Sequence, residues 1–265
     1  MKLPKNLNYL RPLKTGALFR IGDKGDGGYI VPRSSFKKIN CIISFGLGDN
    51  FSFEEHAIKL NRKLNIAVYD HTINFYFFFF KIYKSIKRMF YFKSNFFNIY
   101  NKISILIRYF FFFRGNNIVH IRKKVTDNPK STNEVNFSSI FSKYNKKKIL
   151  LKIDIEGDEY KILNCIKSYR NAIHVLIIEF HNIDKKRIIF KKSIFFLKSF
   201  FNIVHIHGNN SAPLSKDNLP SVLELTFVNK KIYKLNKKIY LKNFPIKNLD
   251  FPSFSQREDF FLNFN

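Results

Sequence analysis

Five apolar runs of strand length in this chain each stop at glycine, a carboxylate or histidine. Cys41–Phe45 stops at Gly46-Leu47-Gly48, residues 65–69 at Asp70, and Ile149–Ile153 at Asp154-Ile155-Glu156. Residues 174–178 stop at Glu179-Phe180-His181, and residues 202–206, which contain His205, stop at His207. Segments of helical period lie between the runs, for example Phe53, Ala57, Leu60 and Leu64. Strands alternating with helices predict a parallel sheet covered on both faces. With residues 118–121 and 222–229 the expected strands number seven. The expectation is one doubly wound α/β domain over residues 1–265. Ligands of such a sheet bind outside the carboxyl ends of its strands, where these polar residues fall.

The glycine turn narrows the ligand. Glycine lets the backbone approach a bound molecule closely. Asp70 follows Gly48 by 22 residues, a spacing at which a carboxylate can accept hydrogen bonds from ribose hydroxyls. A dinucleotide fingerprint would need a third glycine where Phe51 stands. The pattern therefore favours a nucleoside ligand without a pyrophosphate on the helix. A structural turn with a capping Asp70 is the alternative.

The stretch Leu151-Lys-Ile-Asp-Ile-Glu-Gly-Asp-Glu-Tyr160 closely resembles the signature of FkbM-type methyltransferases. Gly25-Asp-Gly-Gly-Tyr29, Ser44-Phe-Gly-Leu-Gly-Asp49 with Phe53-Glu54, and Tyr69-Asp-His-Thr72 resemble one bacterial branch of that family. So do Phe112-Phe-Arg-Gly115 and His205-Ile-His-Gly-Asn-Asn210 with Leu223-Glu-Leu-Thr226. The resemblance covers about residues 20–230 and implies a class I methyltransferase-like, Rossmann-like fold of seven strands, the last antiparallel. It implies S-adenosylmethionine (S-adenosyl-L-methionine) at Gly46, Gly48, Asp49 and Asp70, with His71 adjoining the ribose. It also implies O-methylation of a sugar, glycan precursor or related hydroxyl.

Methyl transfer to an alcohol needs alignment and removal of a proton. Asp154, Glu156, Glu179, His181 and His207 are the candidate catalytic residues, each with a structural alternative as a cap or loop anchor. No ligand spacing forces a metal, and none is expected. His56, His120 and His174 are read as structural. Cys41 and Cys165 sit in no metal-binding pattern and read as reduced core thiols of a cytoplasmic protein.

Charge sets the rival readings. The chain has 47 Lys+Arg against 19 Asp+Glu, a net +28. That field attracts polyanions, although the abundance of Lys, Phe, Ile and Asn also fits AT-rich codon usage. Residues 71–126 hold eleven Lys or Arg and no acid. Within them, residues 74–113 read as a helical insertion of two basic amphipathic helices, broken near Ser94-Asn95. Ile82, Ile86 and Phe90 form one apolar face, and Lys81, Lys84, Lys87 and Arg88 form a cationic one. The Phe runs are interrupted by Lys or Arg before the ~20 apolar residues of a membrane span. Peripheral contact with an anionic membrane, at its inner face, is one expectation, and a purely compositional origin is the other. Nucleic acid is not the expected partner, since the acidic strand ends are poor places for phosphate. A non-catalytic protein of this fold is a third reading. Residues 230–265 read as a basic C-terminal extension, and no signal peptide is visible at the N-terminus.

Overall fold

A computed structural model describes residues 3–91, 95–215, 217–236 and 239–264. Lys93 and Ser94 lie outside the described residues. The central sheet has seven strands. In chain order they are β1 (Cys41–Phe45), β2 (Asn65–Tyr69), β3 (Ile118–Ile121), β4 (Ile149–Ile153), β5 (Ile173–Phe180), β6 (Phe201–Gly208) and β7 (Leu223–Asn229). Their spatial order is β6-β7-β5-β4-β1-β2-β3. β1 pairs parallel with β2 and β4, and the parallel set extends to β3 and β5. β7 runs antiparallel between β5 and β6. This is the topology that the class I resemblance implies.

Burial explains why the runs are strands. All five residues of β1 and of β4 are buried, and their β-branched side chains suit a sheet covered on both faces. Ile43, Leu151 and Leu176 point into one core layer with Phe137, Phe141, Phe190 and Leu197. Ile42, Leu150 and Ile177 point into the other, with Phe53 and Ala57 of helix α1 (Ser52–Leu60). That second face also carries a hairpin of Leu18–Ile21 and Tyr29–Pro32, which no apolar run had announced. The link from β4 to β5 is two four-residue α turns, Glu159–Ile162 and Ile166–Tyr169, around a 3-10 turn rather than one continuous helix.

The insertion forms α2 (Phe75–Phe90) and α3 (Phe96–Phe112), started by the side chains of Asn74 and Asn95 acting as N-caps. Their inward faces differ from the sequence expectation. Ile86 and Phe90 are exposed, and Phe78 is buried instead. Asp49, beside the glycine turn, accounts for the rotation. Lys81 Nζ from α2 and Lys102 Nζ from α3 reach it at 2.6 and 3.1 Å. Arg108 pairs with Glu55, and Phe112 stacks on Phe51 with ring centroids 5.6 Å apart. Tyr109 meets His120, whose other ring nitrogen lies 2.9 Å from the Asp70 carbonyl oxygen.

The described residues of the C-terminal extension, 230–236 and 239–264, return to the domain. Phe244, Leu262 and Phe264 are buried in the first core layer, and the Leu3 N–H donates to the Asn263 carbonyl. The His205–Asn210 segment holds this return. His205 pairs with Asp250 at 3.0 Å, and His207 pairs with Asp259 at 3.0 Å. Asn210 Nδ2 donates to the carbonyls of Phe254, Arg257 and Glu258. His207, expected among the catalytic residues, is therefore corrected to a tail anchor. It lies on edge strand β6, and the tail covers that strand's end.

No helix among the described residues is long and apolar enough to cross a membrane. Cys41 is a buried free thiol pushed up to about 12 by desolvation, and Cys165 is free and half-buried.

Candidate functional site

The carboxyl ends of β1, β2, β4 and β5 open onto a cleft of about 710 Å³. Gly46, Gly48, Asp49, Asp70 and His71 line it, as do Asp154, Glu156, Glu179 and His181. Nine of the ten sequence candidates thus share one cavity, and His207 does not.

The turn after β1 needs both of its glycines. Gly46 has φ +85, and a Cβ there would lie 1.7 Å from the Asp154 carbonyl oxygen. Gly48 has φ +62, but a Cβ there would meet nothing nearer than the Asn50 nitrogen at 3.9 Å. One glycine lets two strand ends touch, and the other leaves open space on the cleft side. Lys152, buried in β4, donates from Nζ to the Gly46 carbonyl at 3.1 Å.

Asp70 closes the turn. Its Oδ2 accepts from the backbone N–H groups of Leu47 (2.8 Å) and Gly48 (3.2 Å). Its Oδ1 accepts from the Thr72 N–H (2.7 Å) and hydroxyl (2.6 Å). Burial alone would raise this carboxyl, but those donors hold it below the ordinary carboxylate range. Asp70 therefore braces the turn with the same oxygens expected to meet a ribose. Asp49 sits on the rim. Partial burial would raise it, and Lys81 and Lys102 hold it low.

The opposite wall is built around His181. Its Nδ1 lies 2.8 Å from Oε1 of Glu159, whose side chain is wholly buried. The same oxygen accepts from the Gly157 N–H at 2.9 Å, so Glu159 is fixed in place. A carboxylate there calls for a proton on Nδ1, which turns Nε2 toward the cleft. Nε2 lies 3.4 Å from Glu156, 3.8 Å from Glu179 and 3.9 Å from Asp154. Burial alone would push His181 down, but the Glu159 hydrogen bond and the surrounding carboxylates carry it above the ordinary imidazole value.

Asp154 Oδ2 accepts from the Tyr29 hydroxyl at 3.0 Å, so the hairpin closes the cleft from above the sheet. Glu179 accepts from Asn209 at 2.9 Å. Burial first, then Asp154 and Glu224, push Glu179 well above the carboxylate range. Donor atoms of Asp154, Glu156 and His181 lie within 4.8 Å of one another, an arrangement that could hold a divalent cation.

Sequence reasoning missed four residues of this wall: Glu159, Lys152, Tyr29 and Asn209. All four stand inside the recognised segments. The first two lie off the strand-end positions, and the last two belong to elements that cross over from elsewhere.

The family model described as the methyltransferase FkbM domain matches residues 24–202. Among solved structures, the chain is similar to the Methanococcus jannaschii fibrillarin pre-rRNA processing protein. Identity is 12%, with 73% of this chain and 68% of that chain covered and a TM-score of 0.37. It is also similar to precorrin-6y C5,15-methyltransferase from Geobacter metallireducens. There identity is 9%, with 73% of this chain and 84% of that chain covered and a TM-score of 0.36. No curated protein sequence matches the chain.

Proposed function

The chain belongs to the FkbM methyltransferase domain family, and on that premise we propose that it moves a methyl group from S-adenosylmethionine to a hydroxyl of a sugar, glycan precursor or related small molecule. One observation carries the reading. The open glycine turn braced by Asp70 faces, across a single cleft, a histidine whose Nε2 is aimed inward by a buried glutamate.

The residues present fit the cofactor. The bare Cα at Gly48 leaves room for a nucleoside beside β1, Gly46 lets the Asp154 backbone close against the turn, and Asp70, Asp49 and His71 border that room. When bound, S-adenosylmethionine supplies an electrophilic methyl group. Asp70 keeps the turn in shape, and exchange of its Thr72 hydroxyl contact frees one acceptor position for a ribose hydroxyl. His181 Nε2 takes the acceptor proton, and Glu159 holds the ring and steadies the imidazolium that forms. Asp154, Glu156 and Glu179 surround the acceptor position, and Tyr29 fixes Asp154.

Calorimetry with S-adenosylmethionine and its demethylated product tests the cofactor half. The wild type should bind both. Asp70→Ala should bind roughly 10–100-fold more weakly, because hydrogen bonds to a charged group contribute about 1.5–3 kcal/mol each. Absence of binding by the wild type would end the catalytic reading, whereas equal affinities would remove only the role given to Asp70. Transfer of labelled methyl to a panel of glycans and sugar nucleotides tests the acceptor half.

A further inference from the structure

The insertion helices present aromatic surface to solvent. Of the 25 large apolar side chains exposed among the described residues, 15 lie between Phe75 and Phe111. On α2, Phe75, Phe79, Tyr83, Ile86 and Phe90 recur at steps of three or four and form one exposed stripe. On α3, Phe96, Tyr100, Ile103, Ile107 and Phe111 do the same. Isolated exposed apolar residues are ordinary, but a concentration like this on one hairpin marks an interaction surface.

Charge tells what covers it. Lys81, Lys102 and Arg108 turn inward to Asp49 and Glu55. Lys87 stands beside the α2 stripe and Lys84 and Arg88 lie further round the helix; all three are exposed and make no ion pair among the described residues. No acidic residue occurs anywhere in 71–126. A second copy of this face would set cation against cation with nothing to offset them. A nucleic acid would take the cations and could stack on flat rings, but it would leave Ile86, Ile103 and Ile107 without a partner. An anionic bilayer takes both parts, phosphates on the cations and the headgroup–acyl boundary on the stripe.

We propose that the outward side of α2 and α3 docks on an anionic phospholipid membrane, as a peripheral attachment with Lys84, Lys87 and Arg88 on the lipid phosphates. Tyr83 and Tyr100 suit the interface, where an aromatic ring can keep its hydroxyl in water. The inward side of the same hairpin holds Asp49 on the cleft rim. Docking would thus bring the cleft near the headgroups, within a distance on the order of one helix diameter, ~10–12 Å. The proposal does not depend on which hydroxyl is methylated.

Co-sedimentation of the full chain with vesicles tests it, at low and high salt. One set of vesicles is phosphatidylcholine alone, and the other also contains phosphatidylglycerol. The wild type should sediment with the anionic vesicles and be partly released by salt. Joint replacement Lys84→Gln, Lys87→Gln and Arg88→Gln should weaken binding roughly 100-fold at low salt, since each basic residue contributes about 1 kcal/mol at an anionic surface. Joint replacement Phe79→Ser, Tyr83→Ser and Phe90→Ser should remove the part of binding that survives high salt. All six side chains are exposed, so the thermal midpoint should stay unchanged and report that both variants fold. Vesicle binding that is absent, or unchanged in both variants, would overturn the proposal. So would a dimer that the aromatic replacements dissolve, or retention on an RNA homopolymer without vesicle binding.

Discussion

Replacing His181 with alanine should lower kcat by a factor of about 100–10,000, the range that a positioned acid–base group contributes. Affinity for S-adenosylmethionine should hardly change, because His181 stands across the cleft from the glycine turn and its proposed role is on the acceptor proton. The pH profile gives a second, independent readout. His181 works as a base only when Nε2 is unprotonated, and its environment holds its pKa above the ordinary imidazole value. The rate should therefore rise with pH through an apparent pKa higher than about 6.5. Glu159→Gln removes the main influence that raises it, leaving burial to push the other way. The limb should then move toward lower pH while the maximal rate falls. A merely structural Glu159 would cost stability and leave the position of the limb alone. Turnover by His181→Ala within a few-fold of wild type would show that another group, such as Glu156, 3.4 Å from Nε2, or Asp154, 3.9 Å from it, receives the proton.

The sheet was legible because each strand is built on an apolar run; β1, β2 and β4 end where their runs end, whereas β5 and β6 extend through Glu179 and His207. The turn at Gly46 comes directly after such a run, and Gly157, also with positive φ, follows another run after Asp154-Ile155-Glu156. The hairpin of Leu18–Ile21 and Tyr29–Pro32 escaped notice for the opposite reason. Its strands are four residues long, its loop holds four glycines, and Pro32 ends its second strand. The insertion helices were legible by period, but their orientation was not. α2 has a clear apolar face, but the domain takes up only the side of it that carries Phe78, so the period alone does not tell which part turns inward. The ion pairs of Lys81 and Lys102 with Asp49 help to decide it, and those join residues 32 and 53 positions apart. In the cleft, strand-end position identified Asp154, Glu179 and His181. Glu159 lies in the first turn of the next helix, so a search for strand ends passes over the group that orients the histidine.

His207 obeys the strand-end pattern and is nevertheless not part of the cleft. Its Nδ1 lies 3.3 Å from Glu224 on β7, and its Nε2 lies 3.0 Å from Asp259 in the returning tail. Only 1% of the residue is exposed. Burial would push the imidazole down, yet the hydrogen bonds to Asp259 and Glu224 hold it up at about 10. It is therefore charged at neutral pH, and it stands between two carboxyl groups that would otherwise face each other in the interior. His207→Gln should destabilise the fold by about 3–5 kcal/mol at pH 6, the usual cost of leaving a buried charge without its partner. The dependence on pH follows from linkage. A group whose pKa is raised by folding contributes in full below its unfolded value, near 6.5. That contribution declines by about 1.4 kcal/mol per pH unit above this value, until the folded pKa is passed. Denaturant unfolding of wild type and variant between pH 6 and pH 10 should show the two stabilities converging as the wild-type histidine loses its proton. A gap that stays constant across that range would mean that His207 acts through packing or neutral hydrogen bonds alone. The tail offers a further check, since Asp259→Asn removes one of the two carboxylates from its other side. That variant should lower the pH at which wild-type-like stability is lost, and it should leave the affinity for S-adenosylmethionine expected of the proposed site unchanged.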